Sequence, residues 1–234
     1  MDIRIESLLE GAQRAAGAVA VIDVFRAFTT AAVALSEGAA GVVMVSEVAE
    51  ALQLRAAGIG RICMGEVGGK APEGFDFGNS PYELLQARAN GRALNGQTII
   101  QRTGAGTQGI QAAKDSAERL FAAALVTASA TARAIRSTGL ERISLVAMGN
   151  RMIDRTDEDE LCAMHLRNLL EGRAGDAEAV RRLIGAGSEV THFGDPARPH
   201  LHPQDVEIAL DIDRYDFAVA VTIEDGRPVA RMAA

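Results

Sequence analysis

A chain of 234 residues, 48% of them hydrophobic, is long enough to bury a sizeable core within one large α/β layer structure. The net charge of −7 argues against a broad basic face for nucleic acid and leaves room only for a local cationic pocket. No stretch reaches the ~18 uninterrupted apolar residues of a membrane span. Residues 1–5 lack the apolar core of a signal peptide, and the two cysteines make no disulfide framework, so a cytoplasmic setting is expected. Aromatics make up only 4%, with no Trp, so alanine and valine must do much of the packing.

In chain order, the first pattern is the apolar run Ala18–Val24, which reads as a central strand buried on both faces and broken only by Asp23. Phe25–Leu35 reads as a helix stopped near Gly38. Gly41–Ser46 reads as a strand, with Ser46 capping a helix from Glu47 to Ala57 closed by Gly58. Arg61–Met64 reads as a third strand. It runs into seventeen residues, Gly65 to Pro81, with no apolar periodicity. Loops of that length are usually functional or disordered. Phe75, Phe77 and Pro81 can pin this one to a core, which favours an ordered functional loop over a loose surface excursion.

Ser80, Pro81 and Glu83 have capping-box spacing and start the next helix. Gln97–Thr103 reads as a strand leading through Gly104–Gly109 into a helix that reaches Lys114. Arg119–Val126 reads as a strand, Ala128–Ser137 as a helix, and Arg142–Gly149 as a strand. Three helical patterns follow, at about Asp157–Glu171, Asp176–Ile184 and Pro203–Leu210. The Gly/Pro/His-rich segment before the last holds His192, His200 and His202. His200-x-His202 lacks supporting ligands and reads as a solvated loop rather than a metal site. Tyr215–Thr222 is a last long strand. Glu224–Arg227 has hairpin chemistry, so Pro228–Met232 should pair back antiparallel. Strands alternating with helices imply crossovers and a mostly parallel sheet covered on both faces, in one domain spanning 1–234.

In open α/β sheets, ligands bind beyond the carboxyl ends of the strands. The polar residues there are Asp23 with Arg26, Glu66, Arg102 with Thr103, Ser129 and Asn150. A buried carboxylate such as Asp23 needs a partner or a metal. Arg26 would supply an ion pair. Alternatively Asp23, with Glu66 as second acid, ligates Mg²⁺, an ion commonly held by one or two carboxylates, waters and phosphate oxygens. Arg102 and the strand–turn–helix Thr103, Gly104, Gly106, Thr107, Gly109 read as an anion site, since glycines let backbone N–H groups approach a ligand. The alternative is an ordinary tight turn. The acidic run from Asp154 to Glu160 fits a helix N-terminus, where negative side chains meet the positive end of the dipole.

These residues occur in an order that resembles the ComB family, the 2-phosphosulfolactate phosphatases. The likeness rests on Val21–Ala27, Gly65-Glu66, Gly74-Phe75-Asp76-Phe77-Gly78-Asn79-Ser80-Pro81, Arg102-Thr103-Gly104, Asp157–Ala163 and Asp205–Phe217. Where the family's turn is Thr-rich, this chain has Gly104-Ala105-Gly106-Thr107. The resemblance implies a three-layer α/β/α fold with a mixed sheet. It also implies Mg²⁺-dependent hydrolysis of 2-phospho-3-sulfolactate to 3-sulfolactate and phosphate, a step toward coenzyme M. The mechanism expected on it has Asp23 and Glu66 holding Mg²⁺ and Arg26 neutralising phosphate. Asn79 and Ser80 orient substrate or water, and Glu158 or Asp159 acts as general base. Asp23 has Phe25, not a second Asp, two residues on, which favours metal-activated water over a haloacid-dehalogenase-type covalent intermediate. The other readings are a phosphatase for a different small phosphorylated hydroxy acid, or a module that binds small anions without chemistry. A homodimer is the base-rate expectation.

Overall fold

The computed structural model describes residues 1–91 and 93–233. Strands β1 (Asp2–Ser7), β2 (Gly17–Ile22), β3 (Gly41–Val45), β4 (Ile62–Gly65), β5 (Thr98–Arg102), β6 (Ala117–Ala123), β7 (Arg142–Ala147), β8 (Ala218–Glu224) and β9 (Arg227–Ala233) form one sheet in the order β1-β7-β2-β6-β8-β9-β3-β5-β4. Helices are α1 (Leu8–Arg14), α2 (Ala27–Ser36), α3 (Val48–Ala56), α4 (Pro81–Ala89), α5 (Gly106–Ala113), α6 (Ala128–Ser137), α7 (Asp157–Leu170), α8 (Ala177–Gly185) and α9 (Pro203–Ala209).

The period-2 pattern of the strands sorts their side chains into layers. In β2, Val19 and Val21 face one side, with Val42 and Met44 of β3 and Ile99 of β5, against α1, α2, α4 and α5. Ala18, Ala20 and Ile22 face the other side, against α6, α7 and α8. Val43, Val45, Cys63 and Ile100 lie against α3. The fold is thus the expected three-layer α/β/α arrangement with a mixed, mostly parallel sheet. Helix α2 is buried from Ala27 to Leu35, and its alanines let the surrounding elements approach closely.

The sheet consists of two parallel groups, β1-β7-β2-β6 and β3-β5-β4, joined through the β8–β9 hairpin. The three pairings β6–β8, β8–β9 and β9–β3 are antiparallel, and an odd number of reversals flips strand sense between the groups. A flat sheet would put their carboxyl ends on opposite edges. They nevertheless meet at one cavity, and α2 and α5 pack against strands of both groups. The hairpin turns at Asp225 and Gly226, both at positive φ, as Asp-Gly in a two-residue turn requires.

Several boundaries differ from those read in the sequence. β1 and α1 were not foreseen; β1 is an edge strand whose Ile3 and Ile5 alternate with Asp2, Arg4 and Glu6. Helix α2 begins at Ala27 rather than Phe25. The strand expected over Arg119–Val126 ends at Ala123, and Leu125–Thr127 form a 3₁₀ turn. The strand expected from Tyr215 begins at Ala218; the Tyr215 and Phe217 rings stack at 5.5 Å before it. Ser46 does not cap α3, where Glu47 stands at that position; the Ser46 carbonyl instead accepts from Arg102 and Gln108. Ser80 does cap α4, accepting from the Glu83 N–H at 3.1 Å, while the Glu83 carboxylate turns to the Gly78 N–H.

Candidate active site

The end of β2 places Asp23 beneath the Gly-rich turn after β5. Its Oδ1 accepts from the Ala27 N–H at 2.9 Å and its Oδ2 from the Gly106 N–H at 2.8 Å. Burial pushes its carboxyl up to about 6 against the pull of the Ala27 amide, and the nearby charge of Glu66 adds to the rise. Glu66, following β4, accepts from the Gly104 and Gly69 N–H groups. The turn expected to cradle a substrate anion therefore gives the amides of Gly104 and Gly106 to the protein's own carboxylates. Gly106 leaves no room for a side chain, since a Cβ there would lie 2.7 Å from Ala27 Cβ and 2.8 Å from Asp23 Oδ2, whereas one on Gly104 would only displace the Glu66 carboxylate, 2.9 Å away.

The start of α7 turns two acids inward. Glu158 is buried and pushed up to about 7, first by burial, with Glu189 and Asp23 adding like charge. Asp159 is also buried and raised, and it joins strand ends: Oδ1 accepts from Val24 N–H at 2.8 Å and Oδ2 from Gly149 N–H at 2.9 Å. It does not line the cavity. Glu160 faces away and pairs with Arg155 at 2.7 Å.

Arg26 pairs with Asp205 at 2.8 Å, both buried, rather than with Asp23. It also donates to the carbonyls of His200 at 3.0 Å and Gly69 at 3.4 Å, so it ties two loops to α9. Ser80 donates to Asp205 at 2.6 Å and lies outside the cavity. Arg102 donates to the carbonyls of Ser46 and Glu66 and anchors the loop root. Thr103 and Thr107 bond each other across the first turn of α5, with only Thr103 on the cavity wall. Gly109 packs on Met148 and Val21, away from the cavity. Asn79 does line it, and its Oδ1 is buried without a partner.

The loop from Gly65 to Pro81 is ordered. Phe75 packs toward α3, Phe77 is buried on the other face, and Asp76 accepts from the Cys63 N–H at 2.9 Å.

The cavity holds about 590 Å³. Of the residues expected from sequence, Asp23, Arg26, Glu66, Asn79, Thr103, Gly104 and Glu158 line it. Sequence reasoning missed Lys70, Arg151, Glu189, His192, Phe193, Arg198 and His200. The late His-rich segment was expected to be solvated. Much of it is exposed, yet its His192, Phe193, Arg198 and His200 line the cavity, with the rings of Phe193 and Phe25 at 5.3 Å. His202 diverges from His200 and meets Glu83 and Tyr82. The result is a layered electrostatic arrangement. Asp23 and Glu158 are buried at the floor beside half-buried Glu66, whereas Lys70, Arg151 and Arg198 are exposed at the mouth.

Among the described residues no group of three or more His, Cys, Asp or Glu side chains is drawn together as a metal cage. The donor set still fits a hard cation such as Mg²⁺, which takes few protein carboxylates and keeps waters. Asp23 and Glu66 present carboxylates on the cavity wall, and Asn79, whose Oδ1 is buried without a partner, lines the same cavity.

A family model described as 2-phosphosulpholactate phosphatase matches residues 4–190. Similar curated proteins carry the name "Probable 2-phosphosulfolactate phosphatase". One from Thermoplasma volcanium is 31% identical, covering 84% of this chain and 85% of its own. One from Thermotoga petrophila is 36% identical, covering 69% and 67%. One from Gloeobacter violaceus is 40% identical, covering 68% and 65%.

Proposed function

We propose, from the premise that the chain belongs to the 2-phosphosulfolactate phosphatase family and is a phosphoric monoester hydrolase, that it converts 2-phospho-3-sulfolactate to 3-sulfolactate and phosphate with Mg²⁺, as a step toward coenzyme M. The observation that carries this reading is the carboxylate floor under a cationic mouth in one cavity. A floor of acids repels a phosphate unless a cation lies between them, and a cationic mouth attracts a small polyanion.

Asp23 and Glu66 would hold the ion, with Asn79 on the wall of the same cavity. Bound there, Mg²⁺ would neutralise phosphoryl charge and acidify a water. The chain's own groups do the remainder. Glu158, close to half protonated near neutral pH, takes the proton of the attacking water and returns it to the ester oxygen as that oxygen leaves. One proton moves, and the products are a free alcohol and phosphate. Asp159 fixes the ends of β2 and β7 and thereby the height of Asp23 and Glu158. Phe25 and Phe193 form an apolar wall against bulk water.

The test is phosphate release from 2-phospho-3-sulfolactate, with Mg²⁺ and with chelator, beside a panel of other phosphorylated hydroxy acids. Mg²⁺-dependent release, fastest for the sulfolactate ester, is expected. Preference for another ester would reassign the substrate, and undiminished release in chelator would remove the ion.

A further inference from the structure

The cations at the mouth are not scattered. Arg26, Lys70, Arg198 and His200 line the same cavity, and burial followed by the charges of Arg26, Lys70 and Arg198 lowers the proton affinity of the His200 ring. Arg26 is already matched by buried Asp205. Lys70 has no ion-pair partner among the described residues, and Arg198 reaches only Asp195, at 3.9 Å. His200 Nδ1 is buried and has no hydrogen-bond partner. The strap Gly65–Pro81 carries Lys70; the late segment carries Arg198 and His200. Arg26 bonds to the backbone of both segments and holds them together. Like charges gathered without a counter-charge repel one another, and an anion removes that penalty.

Lys70 and Arg198 are exposed in the cavity whose floor acids, Asp23 and Glu158, are buried. The cationic group also lies largely beyond the stretch that identifies the family: the family model ends at residue 190, whereas His192, Phe193, Ala197, Arg198, His200 and Leu201 all line the cavity after it. The catalytic floor and the Arg198–His200 part of the mouth therefore come from different parts of the sequence.

We propose that Lys70, Arg198 and His200 form a subsite for the second, non-transferred oxyanion of the substrate, a sulfonate or carboxylate, and that this subsite selects which phosphorylated acid is hydrolysed. The inference deepens the substrate reading above and rests on it. The phosphoryl group sits over the floor, and the tail anion sits between strap and late segment. An uncharged tail leaves the cations unmatched and gains nothing from them.

The test compares wild type with Lys70→Ala, Arg198→Ala and Arg198→Lys. All alter exposed side chains, so the fold should be retained. Three esters are used: 2-phospho-3-sulfolactate, 2-phospholactate and ethyl phosphate. Removing one charged contact should lower kcat/KM for the sulfolactate ester about 10-fold and for ethyl phosphate less than about 2-fold, with partial recovery in Arg198→Lys. Loss for 2-phospholactate as well would place the carboxylate in the subsite; loss confined to the sulfolactate ester would place the sulfonate there. An equal fall on all three esters, or none, overturns the proposal. If wild type cleaves none of them, the substrate reading fails, and calorimetry with 3-sulfolactate decides the subsite separately. Binding weakened about 10-fold by Arg198→Ala would support it, and unchanged or absent binding would overturn it.

Discussion

Asp23 and Glu66 are held by amides two residues apart in one turn, Gly106 donating to Asp23 at 2.8 Å and Gly104 donating to Glu66. Two strand ends from oppositely directed halves of the sheet are thereby fixed to a third, the end of β5. Asp23→Asn keeps the shape but can accept through only one atom. It should lower Mg²⁺-dependent turnover by about 100-fold or more while costing about 1–3 kcal/mol of stability. Phosphate release and urea denaturation check the two parts, and full Mg²⁺-dependent turnover would remove Asp23 from the metal site.

Gly106→Ala tests the same relationship from the other side. The new Cβ would sit 2.7 Å from Ala27 Cβ and 2.8 Å from Asp23 Oδ2, so the carboxylate must move. Activity should fall by about 10-fold or more, with a loss of about 1–3 kcal/mol from overpacking. Gly58→Ala is the control: φ is +76° but no atom lies within 4 Å, so it should lose about 1 kcal/mol and keep its kcat.

Glu158 sets a pH dependence. Its carboxyl is raised to about 7 in the folded protein, against 4.5 as its ordinary value, so the folded state holds this proton more tightly. The stabilisation is fully present below pH ~4 and is lost as pH rises through about 7. Without divalent cation, the melting temperature should fall between pH 5 and pH 8, and Glu158→Gln should flatten that slope. The contribution is on the order of 1–3 kcal/mol. A melting temperature that rose over this range, with no change in Glu158→Gln, would contradict it. In turnover, Glu158→Gln should remove the limb that titrates near neutrality.

The Arg26–Asp205 pair is structural in origin. Asp205 is fully buried and also accepts from Ser80 at 2.6 Å and Tyr82 N–H at 3.1 Å. Arg26→Met leaves its charge short of a counter-ion and should destabilise by about 3–5 kcal/mol. Arg26→Met with Asp205→Asn should cost clearly less than the sum of the single changes, measured by a denaturation cycle. Protease cleavage between Phe193 and His200 should accelerate in Arg26→Met, because the late segment loses the bond from Arg26 to the His200 carbonyl.

The layers were legible in the sequence because short apolar runs alternating with helical patterns, and the turn residues between them, are local signals. Which residues face which layer came only with the structure, while the all-apolar run Ala18–Ile22 announced a strand buried on both faces. The capping of α4 by Ser80 was legible for the same reason. β1 was hidden because an edge strand carries only two apolar residues among charges. In the site, Asp23, Glu66 and Glu158 were found because acids follow strands or open a helix. Lys70, Arg198 and His200 were missed, since nothing local in a polar loop says which way it folds. Arg26 and Asp205 are 179 positions apart, and no local pattern announces such a pairing. The turn at Gly104–Gly106 was recognised as a donor of amides, but only the structure shows that carboxylates receive them.

The β8–β9 hairpin follows every other strand in the sequence, yet it lies between the two parallel groups. A ribosome therefore delivers both halves before the piece that seams them. Until residues 218–233 emerge, β6 and β3 each present an open edge with unpaired backbone groups. Such edges are templates for pairing with other chains, and long-range closures of this kind are slow. Synthesis should thus pass through a window in which the nascent chain is assembled on both sides but not yet joined, with a demand for chaperone shielding that ends when the hairpin inserts.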